Sequence, residues 1–325
     1  MKAIQIEAHG GPELLKLVDL AVPEPKPGEI RVRHRAVGVN FLDVYHRTGL
    51  YKSPVPMGLG TEGAGVVDAV GAGVTHVAVG DRVAYVARTP GSYAEARTLD
   101  AAQAVKLPDS IDFERAAAMM LKGLTVQYLL ERTQPHGGLQ PGDPIVWHAA
   151  AGGVGLIACQ WAKALGLAVI ATAGSPAKCE LAMRHGAAHA IDYTKEDVVA
   201  RVRELTGGKG VKVVYDSVGK DTWERSLECL APLGLMVSFG NASGPVPPVS
   251  LLALTPKSLY VTRPTLGVHT ATRELLEDGA RSLFGMVTSG KVKIDVSRSF
   301  PLAQAADAHR ALESRATTGS MILVP

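Results

Sequence analysis

A chain of 325 residues that is 46% hydrophobic and 20% charged can bury a large core, and it exceeds the size at which single cores usually split, so two domains are expected. The net charge of +3 has no block of Lys or Arg behind it, which excludes neither catalysis nor binding but argues against nucleic acid or an anionic membrane as partner. No apolar run reaches the length of a membrane span and the start Met1 to Gln5 lacks a signal-peptide core, so the cytoplasm is the expected compartment, with Cys159, Cys179 and Cys229 read as free structural thiols in helices.

Along the chain, residues 1–122 are rich in Gly, Pro and Val. Short alternating runs at 30–36, 65–70 and 82–86 are broken by turn signals, the pattern of a partly open β domain. From 123 to 262 the pattern becomes strand alternating with helix, with short apolar segments at 144–148, 168–172, 188–191, 211–215, 235–239 and 258–262. Such alternation implies an α/β unit with a parallel sheet covered on both faces. An amphipathic helix over 273–290, a strand over 292–296, a helix over 303–313 and an apolar end at 320–324 follow. If that end pairs with the N-terminal part, residues 1–122 and 263–325 form one domain, residues 123–262 are inserted as another, and a cleft lies between them.

The most specific local signal opens the inserted domain. Val146, Trp147 and His148 lead into Ala149-Ala150-Ala151-Gly152-Gly153-Val154-Gly155 and then an apolar helix. Strand, tight glycine turn and helix in that order form a dinucleotide-binding signature, in which Ala150 stands at the first glycine of G-x-G-x-x-G and Gly152 and Gly155 stand at the other two. Small residues let backbone approach a pyrophosphate, and the helix start offers free N–H groups and the positive end of its dipole. The next strand ends in Ala173-Gly174-Ser175-Pro176-Ala177-Lys178, where an NAD-binding unit would place Asp or Glu on the ribose hydroxyls. A hydroxyl and a cation suit a 2′-phosphate that a carboxylate would repel, so NADPH is the expected cofactor. An ordinary glycine-rich βα connection is the weaker alternative for the turn; Lys178 taken alone reads as an ordinary solvated lysine, and the missing acid tips that reading.

Seven segments carry a resemblance that runs over nearly the whole chain: 38–45, 58–65, 121–125, 148–155, 213–219, 238–241 and 313–317. The sequence resembles the zinc-independent medium-chain dehydrogenases/reductases, and within them the NADPH:quinone oxidoreductase group related to zeta-crystallin. The resemblance implies a GroES-like, mainly β substrate domain plus a Rossmann domain with a doubly wound parallel sheet. Zinc-using alcohol dehydrogenases resemble this chain but carry Cys where it has Asn40 and G-H-E where it has Gly60-Thr61-Glu62. The four closely spaced cysteines of a structural zinc lobe are also missing, no C-x-x-C occurs, and of the ten His only His185 and His189 have H-x-x-x-H spacing, so no metal is expected. Without a Lewis acid the chemistry favours an acceptor that needs little polarisation, a quinone or an activated enone.

Residue by residue, the resemblance implies a catalytic set of Asn40, Asp43, Tyr45 and Tyr51 near the nicotinamide and the substrate mouth. Tyr45 and Tyr51 offer flat faces and hydroxyls to an aromatic ring, although domain packing would use them equally well. Asn40 either bonds a carbonyl or caps a turn. For the cofactor it implies Lys122 and Thr125 at the domain junction and Gly152, Gly153 and Val154 at the pyrophosphate. Gly174, Ser175, Lys178 and Tyr193 would surround the 2′-phosphate, Ser217, Phe239 and Asn241 would line the adenine and nicotinamide side, and Arg315 would reach across the cleft. Three functions stay open: quinone reduction, reduction of α,β-unsaturated carbonyls, and an NADPH-binding protein acting through RNA, for which no basic, aromatic-studded cluster is visible. Residues 258–262, last in the α/β series, would leave an open sheet edge, so a homodimer through that strand is expected.

Overall fold

Ile30, Val32, His34 and Ala36 alternate with less buried neighbours along Glu29–Val39, which gives this segment one apolar face and makes it a strand. In a computed structural model, which describes residues 1–314 and 316–325, it is the longest strand of a seven-stranded sheet. It pairs antiparallel with Glu62–Val70 and with Ala96–Asp100, and Glu62–Val70 pairs in turn with Arg82–Val86. The chain's last strand, Ser320–Val324, is antiparallel to its end, with Met321 opposite Val39. The two form one core with Ile4, Ile6, Leu59, Tyr93 and Leu302. These elements belong to a unit made of Met1–Leu124, His269–Thr288 and Ile294–Pro325.

The second unit comprises Thr125–Val268 with Ser289–Lys293. Its six strands are all parallel, in the spatial order His189–Asp192, Ala168–Ala173, Pro144–Trp147, Val211–Asp216, Leu230–Ser238 and Tyr260–Thr262. Counted from Pro144–Trp147 this is 3-2-1-4-5-6, the Rossmann order, which with right-handed crossovers places helices on both faces. Strands covered on both faces must be apolar throughout, and Val146, Ile170, Ile191, Val214 and Met236 meet in one core. The GroES-like and Rossmann architectures are therefore both present. No helix among the described residues is long and apolar enough to cross a membrane.

Several elements differ from expectation, and the strand expected at 235–239 spans Leu230–Ser238. The strand expected at 292–296 lies instead at Val296–Pro301, parallel to Ser320–Val324. Val292 and Ile294 are buried without joining a ladder, so the alternation there reports packing and not pairing. The strand expected at 258–262 is shortened to Tyr260–Thr262, because Ser258 takes a left-handed conformation at the end of the 3-10 helix Leu251–Lys257, and Leu259 packs against its own unit's core. The helix expected from 303 begins at Ala305, after a 3-10 turn over Leu302–Gln304.

Candidate active site

In the second unit, strand Pro144–Trp147 runs into the turn His148–Gly152, and helix Gly153–Ala164 begins there with Gly152 as its N-cap. The left-handed residue of the turn is Ala149, at φ 52°, a conformation that costs a non-glycine residue free energy and is held by Gly152 N–H donating to Ala149 O. Gly155 is where glycine is required: a Cβ there would lie 2.5 Å from Ala150 Cα and O. Helix and turn thus approach closer than any side chain permits, while Gly153, Val154 and Gly155 direct N–H groups out of the helix start. Beneath the turn, buried His148 lies 2.8 Å from Thr172 Oγ1 and 3.0 Å from Ser226 Oγ, and Ser226 donates to Asp216, whose other oxygen accepts from Val218 N–H and Gly219 N–H. One network ties the turn to the loop that holds Ser217.

At the next strand end, Ser175 caps helix Pro176–Arg184 by accepting from Lys178 N–H, which leaves the hydroxyl proton to donate outward. A Cβ on Gly174 would lie 2.5 Å from Tyr193 Oη, so glycine admits this ring, which is 46% exposed. Gly174, Ser175, Lys178 and Tyr193 are thus gathered around one strand end. Phe239 packs on Trp147 with ring centroids 5.7 Å apart. Ala242 N–H donates to Ser217 O, and Asn241 is buried beside them. Arg263 steadies this loop by donating to Ser238 Oγ and Gly240 O at 2.9 and 3.0 Å. Thr125 is buried within helix Phe113–Gln127. Arg315 lies outside the described residues.

In the first unit, Asn40 is the N-cap of helix Phe41–Thr48, and its backbone N–H donates to Asp43 Oδ2 at 2.8 Å. Its side chain does more than cap, since Nδ2 donates to Glu62 Oε1 at 2.7 Å. The wholly buried Glu62 carboxylate also accepts from Leu121 N–H at 2.7 Å and from Lys122 Nζ at 3.3 Å. Gly38 makes room for it: a Cβ at 38 would lie 2.1 Å from Glu62 Oε1. Lys122, expected at the cofactor, is buried with its ammonium against Glu62 and Val39 O. Burial pushes the Asp43 carboxyl up to about 7, assisted by Glu62 and opposed by hydrogen bonds from Asn40 and Tyr93 and by Lys122. Tyr45 is buried and meets the half-exposed Tyr51 edge to face at 5.3 Å. Asn40, Asp43, Tyr45 and Tyr51 therefore share one helix and its immediate continuation.

Two family models match the chain: the alcohol dehydrogenase GroES-like domain over residues 26–109 and the zinc-binding dehydrogenase over residues 153–281. The sequence is 57% identical to a quinone oxidoreductase of Pseudomonas aeruginosa, over 100% of this chain and 99% of the relative. The fold superimposes with a TM-score of 0.98 on the crystal structure of Escherichia coli quinone oxidoreductase complexed with NADPH, at 51% identity over 100% of both chains. This chain belongs to the medium-chain dehydrogenase/reductase family. A 2-haloacrylate reductase of Burkholderia sp, a further relative, is 41% identical over 99% of this chain and 98% of its own.

Among the described residues no three His, Cys, Asp or Glu side chains gather in reach of one metal ion. The residues that local reading missed are Glu62, quoted only as part of a motif, Arg47 on the same helix as Asp43, and Tyr93, His309 and Glu313 from other elements. Tyr93 Oη lies 3.0 Å from Asp43 Oδ2, yet 50 residues separate the two in sequence, and no spacing rule joins them.

Proposed function

We propose that this medium-chain reductase is an NADPH-dependent quinone oxidoreductase that works without a metal ion in the cytoplasm. The observation that carries the reading is its end-to-end likeness to Escherichia coli quinone oxidoreductase complexed with NADPH. The turn at Gly152, Gly153 and Val154 suits a pyrophosphate, since a Cβ on Gly152 would meet only backbone, Ala149 O at 3.2 Å, and the helix start offers free N–H groups. Ser175, Lys178 and Tyr193 suit a 2′-phosphate, and the strand Ala168–Ala173 does not run into a carboxylate that would repel it. NADPH, when bound, supplies the hydride.

The remaining work falls to this chain. Tyr45 and Tyr51 present aromatic faces that hold a flat ring, and Asn40, fixed by Glu62, presents an amide to a carbonyl. Lys122, Thr125, Ser217, Phe239, Asn241 and Arg315 complete the cofactor set by family resemblance. Three free cysteines, two of them buried, fit a reducing compartment. Homodimer formation is supported by the edge strand Tyr260–Thr262, where Tyr260 and Val261 stand exposed. A second reading, reduction of α,β-unsaturated carbonyls, is favoured by the likeness to the 2-haloacrylate reductase. The test is NADPH consumption against a panel of quinones and enones with NADH as control. Turnover of neither class, or preference for NADH, rejects the reading.

A further inference from the structure

Arg47 is 1% exposed and holds Glu313 through two bonds of 2.7 and 2.9 Å, while its Nη1 lies 2.9 Å from His309 Nδ1. A guanidinium only donates, so His309 Nδ1 accepts and the ring proton sits on Nε2. Nε2 lies 3.1 Å from Tyr93 Oη, so Tyr93 accepts there and gives its own proton to Asp43 Oδ2. Every donor in the row therefore points one way, from Arg47 through His309 and Tyr93 to Asp43. Asp43 Oδ2 already takes a second donor, Asn40 N–H. Oδ1 of the same wholly buried carboxyl has no partner among the described residues, and neither does the buried Thr61 Oγ1. As a carboxylate, Oδ1 lacks a donor; as an acid, with its proton on Oδ1 because Oδ2 is occupied, it lacks an acceptor. Either state calls for one more polar group at that atom.

We propose that Asp43 is the proton reservoir of the reductase site, and that Tyr93, His309 and Arg47 are positioning residues that fix where its proton sits and how readily it leaves. The inference rests on the quinone reductase reading, because reduction of a quinone to a hydroquinone consumes one proton beside the hydride taken from NADPH. The Asp43 O–H bond breaks, its electron pair stays on the carboxylate, an O–H bond forms on the acceptor oxygen, and solvent restores the proton. The groups around the carboxyl are balanced for this task. Burial and Glu62 oppose its ionisation, Asn40, Tyr93 and Lys122 favour it, and the carboxyl stands near 7. Arg47 is neutralised by Glu313, and His309, pushed down to about 3 by burial and Arg47, stays uncharged.

Two measurements on the full-length protein decide it: infrared titration of the buried carboxyl, assigned by its loss in Asp43→Asn, and the pH profile of kcat/KM with NADPH and a quinone. In the wild type both should report one ionisation near 7, with activity falling as pH rises through it. Tyr93→Phe deletes a donor to the carboxylate and should move both upward by about one pH unit. His309→Leu should move them in the same direction by less, and His309→Gln, which keeps a donor and an acceptor, should hold the ionisation close to the wild type. Asp43→Asn should lower kcat by about 10²-fold or more and remove the limb. An unchanged profile in Asp43→Asn, or a carboxyl ionisation that stays in place in Tyr93→Phe, overturns the proposal. If Tyr93→Phe does not fold, His309→Leu reads the same ionisation. If no quinone is reduced at all, the functional reading fails, while the infrared titration still decides whether the donor row governs Asp43.

Discussion

Lys178 is the residue proposed to tell apart two cofactors that differ by one phosphate. Its cation and the Ser175 hydroxyl occupy a strand end at which a carboxylate would favour NADH. Lys178→Glu should weaken NADPH by the loss of a charge-assisted contact, about 1.5–3 kcal/mol before any added repulsion, and leave NADH nearly unaffected. Titration with both cofactors checks this, and equal losses would remove Lys178 from the 2′-phosphate site. Gly38 tests packing at the same scale. Its missing Cβ is occupied by the Glu62 carboxylate and by Ala117 O, 2.4 Å from where the methyl would sit. Gly38→Ala should therefore destabilise the fold by about 1–3 kcal/mol, read as a lower urea midpoint, because neither neighbour is a flexible chain end. A midpoint that does not move would mean that the Glu62 carboxylate gives way at little cost.

At the scale of elements, the edge strand Tyr260–Thr262 pairs with Leu235–Val237 on one side and with no strand among the described residues on the other. Pro256 and Pro264 flank it, but no proline or inward charge protects the strand itself. Tyr260→Pro should yield a monomer by light scattering, and a folded variant that stays dimeric would move the interface elsewhere. This strand also marks how far periodicity can be read. The order and type of the six parallel strands were legible because strands covered on both faces are short, apolar and punctuated by turns. Their ends were not, since Ser258 and Leu259 have strand-like neighbours but are claimed by a 3-10 helix end and by the core. Val292 and Ile294 misled for a related reason: burial alternates there, but no strand lies alongside to form a ladder. In the site, the glycine turn was legible because its chemistry is local. The donor row was not, because Tyr93 and His309 are 216 residues apart and Arg47 and His309 are 262 apart, so only the finished sheet unites them.

The whole molecule should feel its buried ionisable groups as a pH dependence of stability. Burial pushes His34 down to about 4 and His309 to about 3, from 6.5 when unfolded, so their contribution is full above 6.5 and is lost as pH falls through the folded values. Asp43 acts in the opposite sense: raised from 3.8 to about 7, its contribution is full below 3.8 and is lost as pH rises through 7. Between pH 4 and 6.5 the unfolded chain binds two of these protons and the folded chain one, so these three groups make stability rise by about 1.4 kcal/mol per pH unit. Denaturation midpoints across that range should show a shallower slope in His309→Gln, by one proton's worth; an unaltered slope would mean that His309 is not held neutral. Metal is a second global property. With Asn40 and Thr61 at the positions where zinc-using relatives carry ligands, purified protein should contain no stoichiometric zinc and keep full activity in chelator. One tightly bound zinc per chain, with activity lost on its removal, would overturn that expectation.

The pairing of Ser320–Val324 with the end of Glu29–Val39 also fixes an order of assembly during synthesis. Six parallel strands are complete once residue 262 has emerged, so the nucleotide unit can begin to fold while the chain is still growing. The other unit must wait. Its first strands hold an open edge until the final residues arrive nearly three hundred positions later, and the same late segment brings His309 and Glu313 to Arg47 and Tyr93. A chain that ends before residue 305 would thus retain a cofactor fold yet lack both the closing strand and the His309 that faces Tyr93. One helix, Ala305–Glu313, and one strand, Ser320–Val324, bring His309 and the sheet's closing edge together.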